Sequence, residues 1–145
     1  MAACGPPTSM TTVSSVTESL FQRGSQYQQF RPTYPPALFQ WLANQCPCRD
    51  RAMDLGCGSG QASRGLEPWF RQVIGADISH PQLLAAPPSS SHYLVSVAHR
   101  LPLADASLDL ITVAQAYHWF DQTAFQAEAE RTLRPEGVLA LISYG

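Results

Sequence analysis

Hydrophobic positions along the chain change their spacing several times, and each change marks an element. Leu38, Trp41 and Leu42 recur at i, i+3 and i+4, so a helix starting at Pro35 or Pro36 would turn this face to a core. Proline suits a first helical turn, where its missing N–H has no partner to lose. From Ala52 the pattern shortens: Ala52-Met-Asp-Leu-Gly56 predicts a short strand running into a glycine loop, Gly56-Cys-Gly-Ser-Gly60. A helix should follow from Gln61 to about Phe70. Gln72 to Asp77 predicts a second strand, which ends on a carboxylate. Ser79-His-Pro-Gln82 has the form of a capping box, so a brief helix through Leu83 and Leu84 follows, cut off by Pro87-Pro88. His92 to Val97 reads as a third strand. Leu108 to Ala114 reads as a fourth, so evenly apolar that both its faces should be buried. Asp121 predicts the cap of a helix with Phe125, Ala129 and Leu133 on one stripe; Pro135-Glu-Gly137 breaks it, and Val138 to Ser143 is a fifth strand.

Strands alternating with helical segments call for parallel βαβ units. The expected fold is α/β, a doubly wound, mostly parallel sheet of about five strands. Upstream of it, residues 1–12 are rich in Pro, Ser and Thr and read as a disordered tail. Residues 13–48 read as an N-terminal helical or lid segment, extended near Pro32, Pro35 and Pro36, and residues 49–145 as the core.

Composition narrows what such a fold can do. The 145 residues fit one domain, and 45% hydrophobic content is enough for a core. A net charge of −2 gives no basic field for nucleic acid or an anionic membrane. All 9 residues counted as Lys or Arg are Arg, which removes a P-loop lysine and a Schiff-base lysine together. No apolar run approaches the roughly 18–20 residues of a spanning helix, and the N-terminus lacks the basic and apolar regions of a secretory signal. Cys4, Cys46, Cys48 and Cys57 have neither zinc nor disulfide-framework spacing; they read as reduced thiols of a cytoplasmic protein with no metal site.

The glycine loop carries the chemistry. A strand ending in glycines before a helix leaves bare backbone amides outside the carboxyl ends of the strands, where open α/β sheets bind ligands. Asp77 ends the adjacent strand, where a carboxylate can accept the hydroxyls of a ribose. A dinucleotide site needs G-x-G-x-x-G; here the spacing is G-x-G-x-G, with Gln61 and Ser63 after it. Asp54 before the loop suits a cationic ligand group better than a pyrophosphate, which points to S-adenosylmethionine (SAM) with its ammonium and sulfonium. The alternative is a plain tight turn with Asp77 as a helix cap.

These residues resemble a family. Ala52-Met-Asp-Leu-Gly-Cys-Gly-Ser-Gly60 is similar to the first motif of class I SAM-dependent methyltransferases, and Asp77 to their ribose-binding acid. Ala98-His-Arg-Leu-Pro-Leu103 followed by Ala106-Ser-Leu-Asp-Leu-Ile111 resembles their "A-E-x-L-P-F…S-F-D" segment. Leu133-Arg-Pro-Glu-Gly137 resembles "L-x-P-G-G". Tyr27-Gln-Gln-Phe-Arg-Pro-Thr-Tyr-Pro35 and Ala114-Gln-Ala-Tyr-His-Trp-Phe-Asp121 resemble segments of the trans-aconitate-methyltransferase-like subgroup.

The resemblance implies a Rossmann-like core with SAM as cofactor. Gly56, Gly58 and Gly60 would line its methionine half, Asp77 would hold the ribose, Ile78 would pack beside the adenine, and Ala98 would meet the adenine edge through its backbone. Gln115 and His118 would lie where donor and acceptor pockets meet, with His118 the candidate general base; Tyr27 and Arg31 would belong to a lid. His118 could equally be a packed histidine in an aromatic cluster, and Tyr27 and Tyr34 ordinary packing residues.

The chain departs from the family at His99, where Glu is usual, at Val97, which has no side-chain acceptor for the adenine amino group, and at Glu136, which replaces a glycine. Family members also continue into a helix and two further strands. The edge at 138–143 is therefore expected to lie bare and to favour self-association. The leading reading is methyl transfer to a small-molecule acceptor, with a carboxylate among the candidates. The alternatives are a shortened, inactive SAM-binding or partner-binding form and, more remotely, a nicotinamide-dependent oxidoreductase.

Overall fold

The computed structural model describes residues 11–13, 34–114, 116–117 and 120–143. Its centre is a parallel sheet. In chain order the elements are β1 (Thr11–Val13), α1 (Pro36–Asn44), β2 (Arg51–Leu55), α2 (Gln61–Leu66), β3 (Gln72–Asp77), α3 (His80–Leu84), β4 (His92–Val95), β5 (Leu108–Ala114), α4 (Gln122–Thr132) and β6 (Leu133–Ile142). The six strands lie in the order β1-β6-β5-β2-β3-β4, and every neighbouring pair is parallel. The order in which the chain adds strands reverses between β2 and β5, the switch point at which doubly wound sheets open a ligand crevice.

Side-chain alternation sorts the core onto two faces. Ala52, Val73, Leu110, Val138, Ala140 and Ile142 point to one side, where Leu38, Phe39 and Leu42 of α1 and Ala62 and Leu66 of α2 cover them. Met53, Leu55, Ile74, Ile111, Val113 and Leu139 point to the other, against Phe125 and Ala129 of α4. β5 is buried from Leu108 to Val113, which explains its lack of polar alternation. Asp109 is the exception in its sequence: its Oδ2 accepts the N–H of Asp50 (2.9 Å) and of Arg51 (3.0 Å), which ties the starts of β5 and β2 together.

Several expectations need correction. Trp41 is 45% exposed, and Phe39 and Ala43 fill the α1 core face beside Leu38 and Leu42. α2 stops at Leu66, two residues before Pro68, whose ring cannot enter a helix interior. β6 begins at Leu133: Leu108 pairs with Leu133 and Leu110 with Val138, so Arg134–Gly137 bulges out of the ladder instead of preceding the strand. Residues 11 and 12, assigned to a tail, lie in β1, which pairs Thr11–Val13 with Val138–Ala140. The edge expected to be bare over 138–143 is therefore paired along 138–140; apolar β6 offers amides that a parallel segment can satisfy.

Cys46 and Cys57 are free and buried, but Cys48 is disulfide-bonded, so the reading of four reduced thiols fails there. Cys46 faces the core and donates toward the Leu42 carbonyl, whereas Cys48 lies half-buried beyond Pro47. Among the described residues no helix is long and apolar enough to cross a membrane.

Candidate functional site

The loop after β2 has its shape because three residues adopt a backbone that side chains disfavour. Gly56, Gly58 and Gly60 sit at φ 67°, 56° and 86°. At Gly56 close packing adds a second reason, since a Cβ there would stand 2.8 Å from the Cβ of Ala116. The loop is then laced to the neighbouring strand. Cys57 N–H donates to Ala76 O (3.0 Å), and Gly60 N–H turns back to Cys57 O (2.9 Å).

Asp77, at the end of β3, organises both turns. Its Oδ2 accepts the Gly58 N–H and its Oδ1 the Ser79 N–H, each at 2.8 Å. A carboxylate has about four lone-pair sites, so two amide donors leave capacity on both oxygens. Asp77 and Gly56 border a cleft of about 340 Å³ at the carboxyl ends of the strands. That is near the lower bound of small-molecule pockets, about 300 Å³.

Ile78 and Val97 line the same cleft, 71% and 39% exposed, and give it an apolar wall. Ser96, Ala98 and His99 continue this wall; Leu55, Ala116, Phe120 and Asp121 complete it. Phe120 is held from below by edge-on contacts to Phe125 and Tyr117, with ring centres 5.2 and 6.3 Å apart. Asp121 also caps α4, its Oδ1 accepting the Ala124 N–H at 3.2 Å.

Asp54 is placed differently from expectation. It is 1% exposed and does not line the cleft. Its carboxylate accepts the Ser63 hydroxyl at 2.7 Å and the Thr112 hydroxyl at 3.0 Å, which fastens α2 to the sheet beneath the loop. Burial pushes this carboxyl from 3.8 up to about 6, with the nearby Asp77 charge adding to the rise against the pull of both hydroxyls. The β2 alternation explains the placement: Asp54 points to the same face as Ala52, toward α2, not out of the strand end.

The structure thus brings Gly56, Asp77, Ile78 and Ala98 to one cleft, while Gly58 and Gly60 shape the loop behind it. Tyr27, Arg31, Gln115 and His118 lie outside the described residues. Ser96, Ala116, Phe120 and Asp121 were not singled out as cleft residues by sequence. Phe120 and Asp121 stood in the Ala114–Asp121 motif, but strand and helix spacing does not tell a lining residue from a core one or a cap.

The methyltransferase domain family model matches residues 53–141. The chain belongs to that family, within the class I SAM-dependent methyltransferases. A candidate methyltransferase of Dictyostelium discoideum is 43% identical over 121 residues, covering 82% of this chain and 46% of that protein. The malonyl-[acyl-carrier protein] O-methyltransferase of Dechloromonas aromatica is 39% identical over 95 residues, 64% of this chain and 36% of its own length. A solved structure, a candidate type II methyltransferase from Anaeromyxobacter dehalogenans, matches with a TM-score of 0.76 and 45% identity, over 80% of this chain and 50% of that one. The chain spans about half the length of the curated relatives it matches. The family match takes the place of the nicotinamide reading, which the glycine spacing already disfavoured.

Proposed function

We propose that this chain is the SAM-binding core of a methyltransferase acting on a small-molecule acceptor, with a carboxylate oxygen as the favoured acceptor chemistry. The observation that carries the reading is Asp77. Its two oxygens are held by Gly58 and Ser79 amides at the cleft edge, with lone pairs spare for the two hydroxyls of a ribose. The lining of the cleft supports an adenosine there. Ile78 and Val97 offer apolar surface for a flat base, and Gly56 presents bare backbone beside Phe120.

When bound, SAM supplies an electrophilic methyl group on a sulfonium. The residues of this chain bind and orient: Asp77 fixes the sugar, the glycine loop sets the depth of the amino-acid end, and Ala116 and Phe120 close the wall against water. Holding reactants in line is a large part of what methyl transfer needs. A carboxylate acceptor is already ionised at neutral pH and needs no base. A hydroxyl or amine acceptor would call on one, and His118 stands in the motif segment for that role. The Dechloromonas relative is by name an O-methyltransferase, which supports oxygen as the receiving atom.

A second reading is favoured by the half-length match: the segment binds SAM, and the acceptor pocket of a full enzyme belongs to sequence outside the matched region. Calorimetry with Asp77→Ala tests the shared premise. Losing two charge-assisted ribose contacts should weaken SAM binding by ~2–4 kcal/mol. Equal affinity for wild type and variant would remove the assignment. Release of S-adenosylhomocysteine with a carboxylate acceptor separates the first reading from the second.

A further inference from the structure

Beneath the glycine loop lies a group that neither the cleft nor the core uses. Tyr93, in the middle of β4, pairs with Gly75 of β3, and Gly75 pairs in turn with Asp54 of β2. Its ring lies across Gly75, where a Cβ would stand 2.7 Å from ring carbons Cδ1 and Cε1. The hydroxyl end reaches the third glycine of the loop: a Cβ on Gly60 would stand 2.2 Å from the Tyr93 hydroxyl oxygen and 2.8 Å from Cζ. Two glycines are thus required by one ring. That hydroxyl is buried and has no hydrogen-bond partner among the described residues.

An unpaired buried hydroxyl is a cost that phenylalanine in the same space would not carry. Packing therefore explains the ring and leaves the oxygen unexplained. The loop above it is the segment that must accommodate ligand, and its nearest residue, Gly60, is held at φ 86° by only two backbone bonds, its N–H to Cys57 O and its carbonyl to Arg64 N–H. Both carbonyls of this turn, Cys57 and Gly60, have a second lone pair free for a donor from below.

We propose that Tyr93 is a positioning residue for the methyl donor: its ring seats the loop at Gly60, and its hydroxyl donates to a loop carbonyl when the loop settles on the amino-acid end of SAM. The inference deepens the SAM-binding reading and rests on it. The Tyr93 hydroxyl has no partner among the described residues, and the proposed loop carbonyl would supply one on ligand binding. The effect belongs to the half of SAM that lies on the loop, and the adenosine half, held by Asp77, should not feel it.

Tyr93→Phe tests this on the full chain with three readouts. Calorimetry compares S-adenosylhomocysteine with adenosine, which lacks the amino-acid half, and thermal melting follows the unliganded protein. The expected result is a three- to tenfold weaker affinity for S-adenosylhomocysteine, the size of one neutral hydrogen bond. Adenosine affinity should be unchanged, and the unliganded melting temperature equal or higher. Unchanged S-adenosylhomocysteine affinity, or equal weakening for both ligands, would overturn the proposal. So would a fall in the unliganded melting temperature, which would mean the hydroxyl already has a partner. A wild-type chain that binds neither ligand would overturn the SAM reading itself, an outcome separable from all of these.

Discussion

Asp54→Asn should make the chain more stable at neutral pH, and the gain should vanish in acid. The wild-type carboxyl is 1% exposed, with the Ser63 and Thr112 hydroxyls and the Ser63 backbone N–H as its donors and no cation beside it among the described residues. Burial raises it from 3.8 to about 6, so between these values the folded chain holds a proton that the unfolded chain has lost. Stability from this group is full below about pH 4 and falls as pH rises toward 6, because the unfolded state binds fewer protons there. At 1.36 kcal/mol per pH unit over that window, the loss is about 3 kcal/mol. Asparagine keeps the shape, an acceptor for one hydroxyl and a donor for the other, without the charge. Urea melts of both proteins from pH 4 to pH 7.5 give the difference in unfolding free energy. It should rise by about 2–3 kcal/mol in favour of the variant between pH 4 and pH 6.5, then level off. Taking the difference removes Asp50 and Glu128, whose Arg partners hold their carboxyls low and give the opposite slope. A difference flat with pH would refute the reasoning. A marked loss of SAM affinity in the variant would put Asp54 back in the cofactor contact.

Two other substitutions read the backbone directly. Glu136 sits at φ 67°, which costs a side-chain-bearing residue roughly 1–2 kcal/mol, so Glu136→Gly should raise stability by about 0.5–1 kcal/mol in denaturant melts. Deleting residues 1–13 removes β1 from Val138–Ala140 and should raise self-association in sedimentation at micromolar concentration; an unchanged monomer would show that β1 does not guard that edge.

The parts of this molecule legible in its sequence are those in which one residue type has one use. Five strands and four helices follow from spacing and punctuation. Glycines at 56, 58 and 60 announce a positive-φ loop because little else tolerates it, and Ser79 and Asp121 announce caps because short oxygen side chains reach the second or third amide. Legibility ends where one residue type has two uses. Asp54 and Asp77 are both acids at strand ends beside the same loop; only the pleat decides that Asp54 turns under α2 and Asp77 into the cleft. Asp109, in a motif segment, proves to be a clamp on the amides of Asp50 and Arg51. β1 escaped because three residues of Thr-Thr-Val carry no period, and their pairing is decided by an apolar neighbour far along the chain.

Asp77 and Asp54 together hold the glycine loop and α2 in place. The two acids are near enough that Asp77 helps keep Asp54 protonated further up the pH scale. Asp77 spends half its accepting capacity on Gly58 and Ser79, so its orientation and the position of the loop at Gly58 are one structural unit. Asp54 holds Ser63, three residues past the end of that loop, to Thr112 on β5. Loop and α2 are therefore gripped from both sides by carboxyl groups, one turned to the cleft and one away from it. On the proposed reading, a ribose meeting Asp77 would find the carboxylate already oriented, with little ordering cost to set against the contacts formed. Asp77→Asn should then separate the two duties: one oxygen still accepts an amide, while the loss of charge weakens the ligand. Its melting temperature should fall less than that of Asp77→Ala, while its SAM affinity falls nearly as far; a variant that loses stability but keeps affinity would show the carboxylate to be scaffold alone.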